Sequence, residues 1–167
     1  MKISRFGRCG GLAAIIALGI AISTWTAQAQ DSETSTPTLL EIMRADQGAW
    51  IKAEATHVSG EVMIQRMNLQ KQKIRLSRVR FAAGARTAWH DNNAGQVLIV
   101  ESGHGRVQRA GGPVKEVGPG DSIYFAPGEP HWLGADPDAP LTGIVIAVGQ
   151  TEWKGQVTDQ EYATSSK

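Results

Sequence analysis

Two histidines and two amide side chains are the residues of this chain best suited to chemistry. His90, Asn92 and Gln96 stand at even spacing, so on an extended strand they share one face. His131 opens a later extended run and can approach from an adjacent strand. Two imidazoles, one amide oxygen and a possible second one suit a divalent first-row metal such as Mn, Fe, Ni or Zn. No carboxylate belongs to this set, so a bound ion would keep most of its charge and polarise a substrate oxygen. The same absence weakens binding. The alternative is that His90 and His131 are polar core residues satisfied by hydrogen bonds.

Other candidates weigh less. His57 precedes the β-rich part of the chain, and His104, between two glycines, reads as a solvated turn residue. Asp91 and Asn93 have the opposite parity to His90, although a bulge would turn Asp91 inward. Trp89 and Trp132 flank the histidines and point away from them, which makes packing their default role. Tyr124 either lines the pocket or packs in the core. Glu129, two residues before His131, either orients that ring or is an ordinary loop acid. The chain shows no nucleophile–base pair, phosphate loop or CxxC.

The elements that must position these residues are strands. Short runs rich in Val, Ile and Phe cover residues 74–82, 86–90, 96–101, 105–110, 113–117, 121–126, 131–135 and 141–148. Gly103, Gly111-Gly112, Gly118-Pro119-Gly120 and Pro127-Gly128 separate them, the pattern of an all-β sandwich or barrel. The runs 96–100 and 141–148 are apolar at both parities, so something must cover the outer face. Either the N-terminal segment does so or a second copy does, and the expectation is a homodimer. Residues 65–73 read as a polar connector.

With 167 residues the chain has room for one domain. Lys2, Arg5 and Arg8, an apolar run over residues 11–23 and Ala27-Gln28-Ala29 read as an export signal spanning residues 1–29. The apolar run is short for a membrane span, so no membrane partner is expected after cleavage. The expected location is periplasmic or secreted. An N-terminal extension over 30–59, partly disordered and with a short helix over 38–46, precedes a barrel over 60–150 and a tail over 151–167. The full chain has 17 basic and 16 acidic residues; without Lys2, Arg5 and Arg8 the net charge is −2. That balance gives no electrostatic reason to expect nucleic acid as a partner. The single cysteine, Cys9, leaves with the signal, so no disulfide supports the mature chain.

The spacing resembles a known family. Gly84-(five residues)-His90-x-Asn92-(three residues)-Gln96-(six residues)-Gly103 is similar to the first cupin motif, and Gly120-(six residues)-Pro127-Gly128-x-x-His131 to most of the second. Sixteen residues, 104–119, separate the two. Within the cupins, the sequence most resembles the single-domain manganese-type group that includes bacterial hydroxynitrile lyases. The shared runs are Val79-Arg80-Phe81-x-x-Gly84-Ala85-Arg86-Thr87-Ala88-Trp89-His90, Gly95-Gln96-x-Leu98-Ile99-Val100, Pro119-Gly120-Asp121 and Pro127-Gly128-Glu129-x-His131-Trp132. The tail, Trp153-x-x-x-Val157-Thr158-Asp159-x-Glu161-Tyr162, is also similar, so the resemblance covers residues 50–162.

The resemblance implies a conical antiparallel β-barrel, the double-stranded β-helix or jelly roll, as a homodimer around a small-molecule pocket. It implies metal ligands at His90, Asn92, Gln96 and His131, with Asn92 standing where the family has a histidine. Leu133 and Gly143 also replace family histidines that handle the substrate proton. They and Tyr124 are the candidate substrate-contacting positions. The implied function is a metal-dependent small-molecule enzyme of lyase, isomerase or oxygenase type. The alternative is a non-catalytic ligand-binding or structural cupin that has lost the catalytic histidines.

Overall fold

A computed structural model describes residues 42–44, 46–67 and 73–163. Among these residues the regular structure is almost entirely strand. The order is β1 (Trp50–Lys52), β2 (Val58–Ser59), β3 (Val62–Met67), β4 (Ile74–Phe81), β5 (Arg86–Thr87), β6 (His90–Asn92) and β7 (Gln96–Gly103). There follow β8 (Gly105–Arg109), β9 (Lys115–Val117), β10 (Ser122–Phe125), β11 (His131–Ala135), β12 (Leu141–Val148), β13 (Thr151–Trp153) and α1 (Asp159–Ala163).

Two curled antiparallel sheets enclose the core. The first has six strands in the order β1-β3-β4-β12-β7-β10. The second runs β13-β6-β11-β5-β2, with β8 joined to both β11 and β9. Alternation explains the first sheet. In β7, Gln96, Leu98 and Val100 are buried while Val97 and Ile99 are half-exposed on the other face. In β4 the same parity buries Val79 and Phe81 and leaves Arg80 outside. Leu98, Val100, Phe81, Phe125, Leu141 and Leu133 draw the two sheets onto one apolar core.

A second, smaller cluster fixes the C-terminal tail. Trp132 packs with Val114, Val157 and Tyr162, and the Tyr162 hydroxyl donates to the Ala135 carbonyl at 2.6 Å. Thr158 caps α1: its hydroxyl accepts from the Glu161 N–H at 3.1 Å, and the Glu161 carboxylate accepts from the Thr158 N–H at 2.8 Å. This reciprocal pair satisfies two backbone donors of the first turn and holds the Glu161 carboxyl below its usual range.

The all-β expectation holds, but several boundaries move. Strands begin before residue 60, at β1 and β2, and continue past 150 with β13, which pairs with β6. Part of the polar connector expected over 65–73 is the end of β3. The run 86–90 divides because Ala88 and Trp89 donate to the His57 and Gly155 carbonyls rather than to a neighbouring strand. The export signal and most of the helix expected over 38–46 lie outside the described residues; Ile42 to Arg44 are irregular. Among the described residues, no helix is long and apolar enough to cross a membrane.

Candidate functional site

His90 opens β6 and His131 opens β11, and the two are register partners across the second sheet. Their ring centroids lie 4.4 Å apart with the planes tilted by 56°. His131 also stacks flat on Phe125, 3.7 Å away and 6° from parallel. Backbone turns bring the two segments together. The Asn92 carbonyl accepts from the Gly95 N–H at 3.0 Å and from the Gly128 N–H at 2.9 Å. Gly95 has a φ of 91°, a left-handed conformation that glycine takes without strain. One carbonyl thus ties the turn before Gln96 to the turn before His131.

Both imidazoles are fixed in the same tautomer. The Nδ1–H of His90 donates to the Ala88 carbonyl at 2.9 Å, and that of His131 to the Glu129 carbonyl at 2.8 Å. A carbonyl can only accept, so each Nδ1 carries the proton and each Nε2 keeps a lone pair. Burial keeps both rings neutral. It pushes the His90 pKa down, and with the nearby His90 as second cause it lowers that of His131 to about 4. The Nε2 of His131 is buried without a hydrogen-bond partner.

The amides are arranged by Arg75. Its guanidinium donates to the Asn92 Oδ1 at 3.1 Å, and the Thr151 hydroxyl donates to the same oxygen at 2.7 Å. A guanidinium has no acceptor, so the Asn92 oxygen must face it. The Asn92 amide nitrogen then donates to the Gln96 Oε1 at 2.8 Å. The Gln96 Nε2 is left buried and unpartnered. This corrects the sequence reading of Asn92. Both lone pairs of its oxygen are engaged by Arg75 and Thr151, so it offers the histidines no ligand atom.

The remaining donor set fits a divalent ion. His90 and His131 present neutral nitrogen lone pairs, and the Gln96 oxygen retains one lone pair beyond its bond to Asn92. Among the described residues no group of three or more His, Cys, Asp or Glu side chains is placed to hold a metal. Any metal here would depend on two imidazoles and an amide.

His90 and Gln96 border a cavity of about 610 Å³ whose walls include Val62, Val79, Phe81 and Leu133. Leu133 therefore lines the cavity. Tyr124 and Gly143 do not. Tyr124 is register partner of Val97 on the outer face of the first sheet and is 66% exposed. Gly143 lies in β12 at a register shift against β7, and a Cβ there would sit 2.7 Å from the Ile99 carbonyl oxygen. Neither parity nor space lets these two positions present a side chain to a ligand.

At the cavity, sequence reasoning missed Arg75 and Trp153 and gave His57 little weight. Arg75 shares the inward parity of Val79 and Phe81, a signal present in the sequence. His57 and Trp153 stack at 4.2 Å and 9°, and Trp153 also lies 4.8 Å from the His90 ring. They come from opposite ends of the fold, and no local pattern joins them. Glu129 orients His131, but through its backbone carbonyl; its carboxylate accepts from the Ala126 N–H at 3.1 Å. Asp91 pairs with Lys154 at 3.1 Å.

Residues 77–147 match the family model of the cupin domain. Over 88 residues the chain is 47% identical to an (R)-mandelonitrile lyase of Granulicella tundricola, a span of 50% of this chain and 67% of that protein. A cupin-like protein of Thermotoga maritima, 35% identical, superposes with a TM-score of 0.66 over 70% of this chain and 94% of that one. The polyketide cyclase of Streptomyces resistomycificus shares the fold alone, at 16% identity and a TM-score of 0.60 over 74% of this chain and 90% of its own. On the matched motifs, the identities and the two-sheet barrel, this chain belongs to the cupin family.

Proposed function

We propose that this cupin is an exported, metal-dependent enzyme acting on a small organic molecule, of lyase, isomerase or oxygenase type. The observation that carries this reading is the pair His90 and His131, fixed in one tautomer by backbone carbonyls and neutral, with His90 on the wall of a cavity large enough for a small ligand. His90, His131 and the Gln96 oxygen would hold Mn, Fe, Ni or Zn. When bound, such an ion supplies Lewis-acid polarisation of a substrate oxygen. The protein's own contribution is positional. The Ala88 and Glu129 carbonyls aim the rings, and the Gln96 amide nitrogen offers a donor to a substrate acceptor.

The likeness to a mandelonitrile lyase makes cyanohydrin cleavage an obvious reaction to assay. Negligible turnover is expected. A positioned base typically contributes about 10²–10⁴-fold, and Leu133 supplies none at the cavity wall. The same feature favours the second reading, a cupin that binds a small ligand without turning it over.

The outer face of the first sheet supports a homodimer. Tyr124, Val97 and Ile146 form one cross-strand apolar row, with Ile99 and Ile144 beside it, and a second copy would cover it. A monomeric sedimentation profile at micromolar concentration would refute that assembly.

Melting curves with added Mn²⁺, Fe²⁺, Ni²⁺ or Zn²⁺ test the metal reading. At least one ion should raise the melting temperature of the wild type, because it binds only the folded state. His131→Ala should abolish the shift. An unmoved wild type would overturn the proposal.

A further inference from the structure

The charged groups at the cavity are unevenly matched. Lys52, Arg66 and Arg75 line it against a single acid, Glu54, and Glu54 is drawn to His57, 3.6 Å away. Arg75 lies on the inward parity of β4 and is held by neutral acceptors: the Gly149 carbonyl, the Asn92 amide oxygen and the Thr151 hydroxyl. Among the described residues no carboxylate reaches it, and the Arg66 side chain makes neither an ion pair nor a hydrogen bond. A guanidinium has five N–H donors, so Arg75 retains donors beyond these bonds. Burial, then the proximity of Arg66, holds its pKa below the usual value. An anion placed between them would relieve that repulsion.

A second observation lies deeper. Gln96, a residue of the cavity wall, is 4% exposed, and its Nε2 is buried without a partner. The chain Arg75–Asn92–Gln96 commits the Gln96 oxygen to Asn92 and leaves that nitrogen without a partner. The wall thus offers spare donors from Arg75 and Gln96 and spare positive charge from Arg66, while its apolar surface would hold a hydrocarbon body.

We infer that the cavity takes an organic carboxylate, with the carboxylate group bound by Arg75 and the Gln96 amide nitrogen and attracted by Arg66. This rests on reading the barrel cavity as the small-molecule site, but it does not require a metal. Guanidinium recognises carboxylate through paired, charge-assisted hydrogen bonds that a neutral amide of the same shape cannot reproduce.

The test uses chelator-treated full-length mature protein, with benzoate and phenylacetate as probes and benzamide and phenylacetamide as neutral isosteres, titrated by calorimetry. The carboxylates should bind about 10–100-fold tighter than the amides, and the advantage should shrink as salt is raised. Arg75→Gln should remove most of it. Arg66→Gln, at an exposed position whose side chain has no partner among the described residues, should remove part of it without disturbing the fold. Equal binding of acids and amides, unchanged in both variants, would overturn the carboxylate inference while leaving the cavity reading intact. Binding of none of the four probes would also overturn it, and the metal-induced melting shift then judges the proposed enzyme site separately.

Discussion

The two sheets of this barrel follow different rules. The first is built on the eight-residue strands β4, β7 and β12, locked in long antiparallel ladders. Its side chains obey alternation, with apolar groups inward. The second carries His90 and Asn92 on a three-residue strand and Arg86 and Thr87 on a two-residue one. Several of its buried polar groups are held by residues from elsewhere in the chain: His90 by the Ala88 carbonyl, Asn92 by Arg75 of β4 and Thr151 of β13, and Arg86 by the Val157 carbonyl and Asp159. Long ladders make a wall whose energy is mostly burial. Short strands release backbone groups and chain direction to hold polar side chains inside.

If that contrast is right, the largest single loss of stability should come from the long-strand wall. Leu98 is fully buried at the middle of β7, and Leu98→Ala should cost about 2–5 kcal/mol through lost transfer energy and the cavity left behind. Urea unfolding would measure it. A cost below about 1 kcal/mol would mean that the wall is not close-packed.

The histidine end should respond to pH instead. His131 has a folded pKa of about 4 against an ordinary value of 6.5. Between these values the unfolded chain binds a proton that the folded one refuses. Stability is therefore fully present above about pH 6.5, declines as the pH falls toward 4, and levels off below. In metal-free protein the loss should be on the order of 3 kcal/mol, and His131→Ala should flatten the window. A wild-type profile unchanged by that substitution would place the proton elsewhere.

The smallest effect belongs to the outer surface of the long-strand sheet. Arg78 and Glu101 pair at 3.0 Å with side chains 26% and 32% exposed. A double-mutant cycle should give about 0.2–1 kcal/mol, decreasing with salt. A coupling well above that would mean that the pair is desolvated, as a second copy seated on this face would make it.

The long-strand sheet was legible in the sequence because alternation is a local signal. The limits of β12 and β11 follow directly from apolar runs bounded by glycine and proline. The two cupin motifs likewise fixed which segments meet at His90 and His131. What the sequence left out is directional. Parity placed Asn92 on the inner face, but not which end of its amide points inward; Arg75, seventeen residues away, decides that. Tyr124 was ambiguous because β10 has only four residues, and a single step of register reverses every side chain. Gly143 gave no warning that the Ile99 carbonyl fills the space a side chain would need. The His57–Trp153 stack joins residues that only the closed barrel brings together.

Elemental analysis of the mature protein, purified from its native compartment without chelators or added metal, tests the His90–His131 centre most directly. The proposal predicts about one divalent first-row ion per chain in the wild type and its loss in folded His90→Ala and His131→Ala. A folded wild type with no bound metal, or folded variants that retain it in full, would contradict that centre.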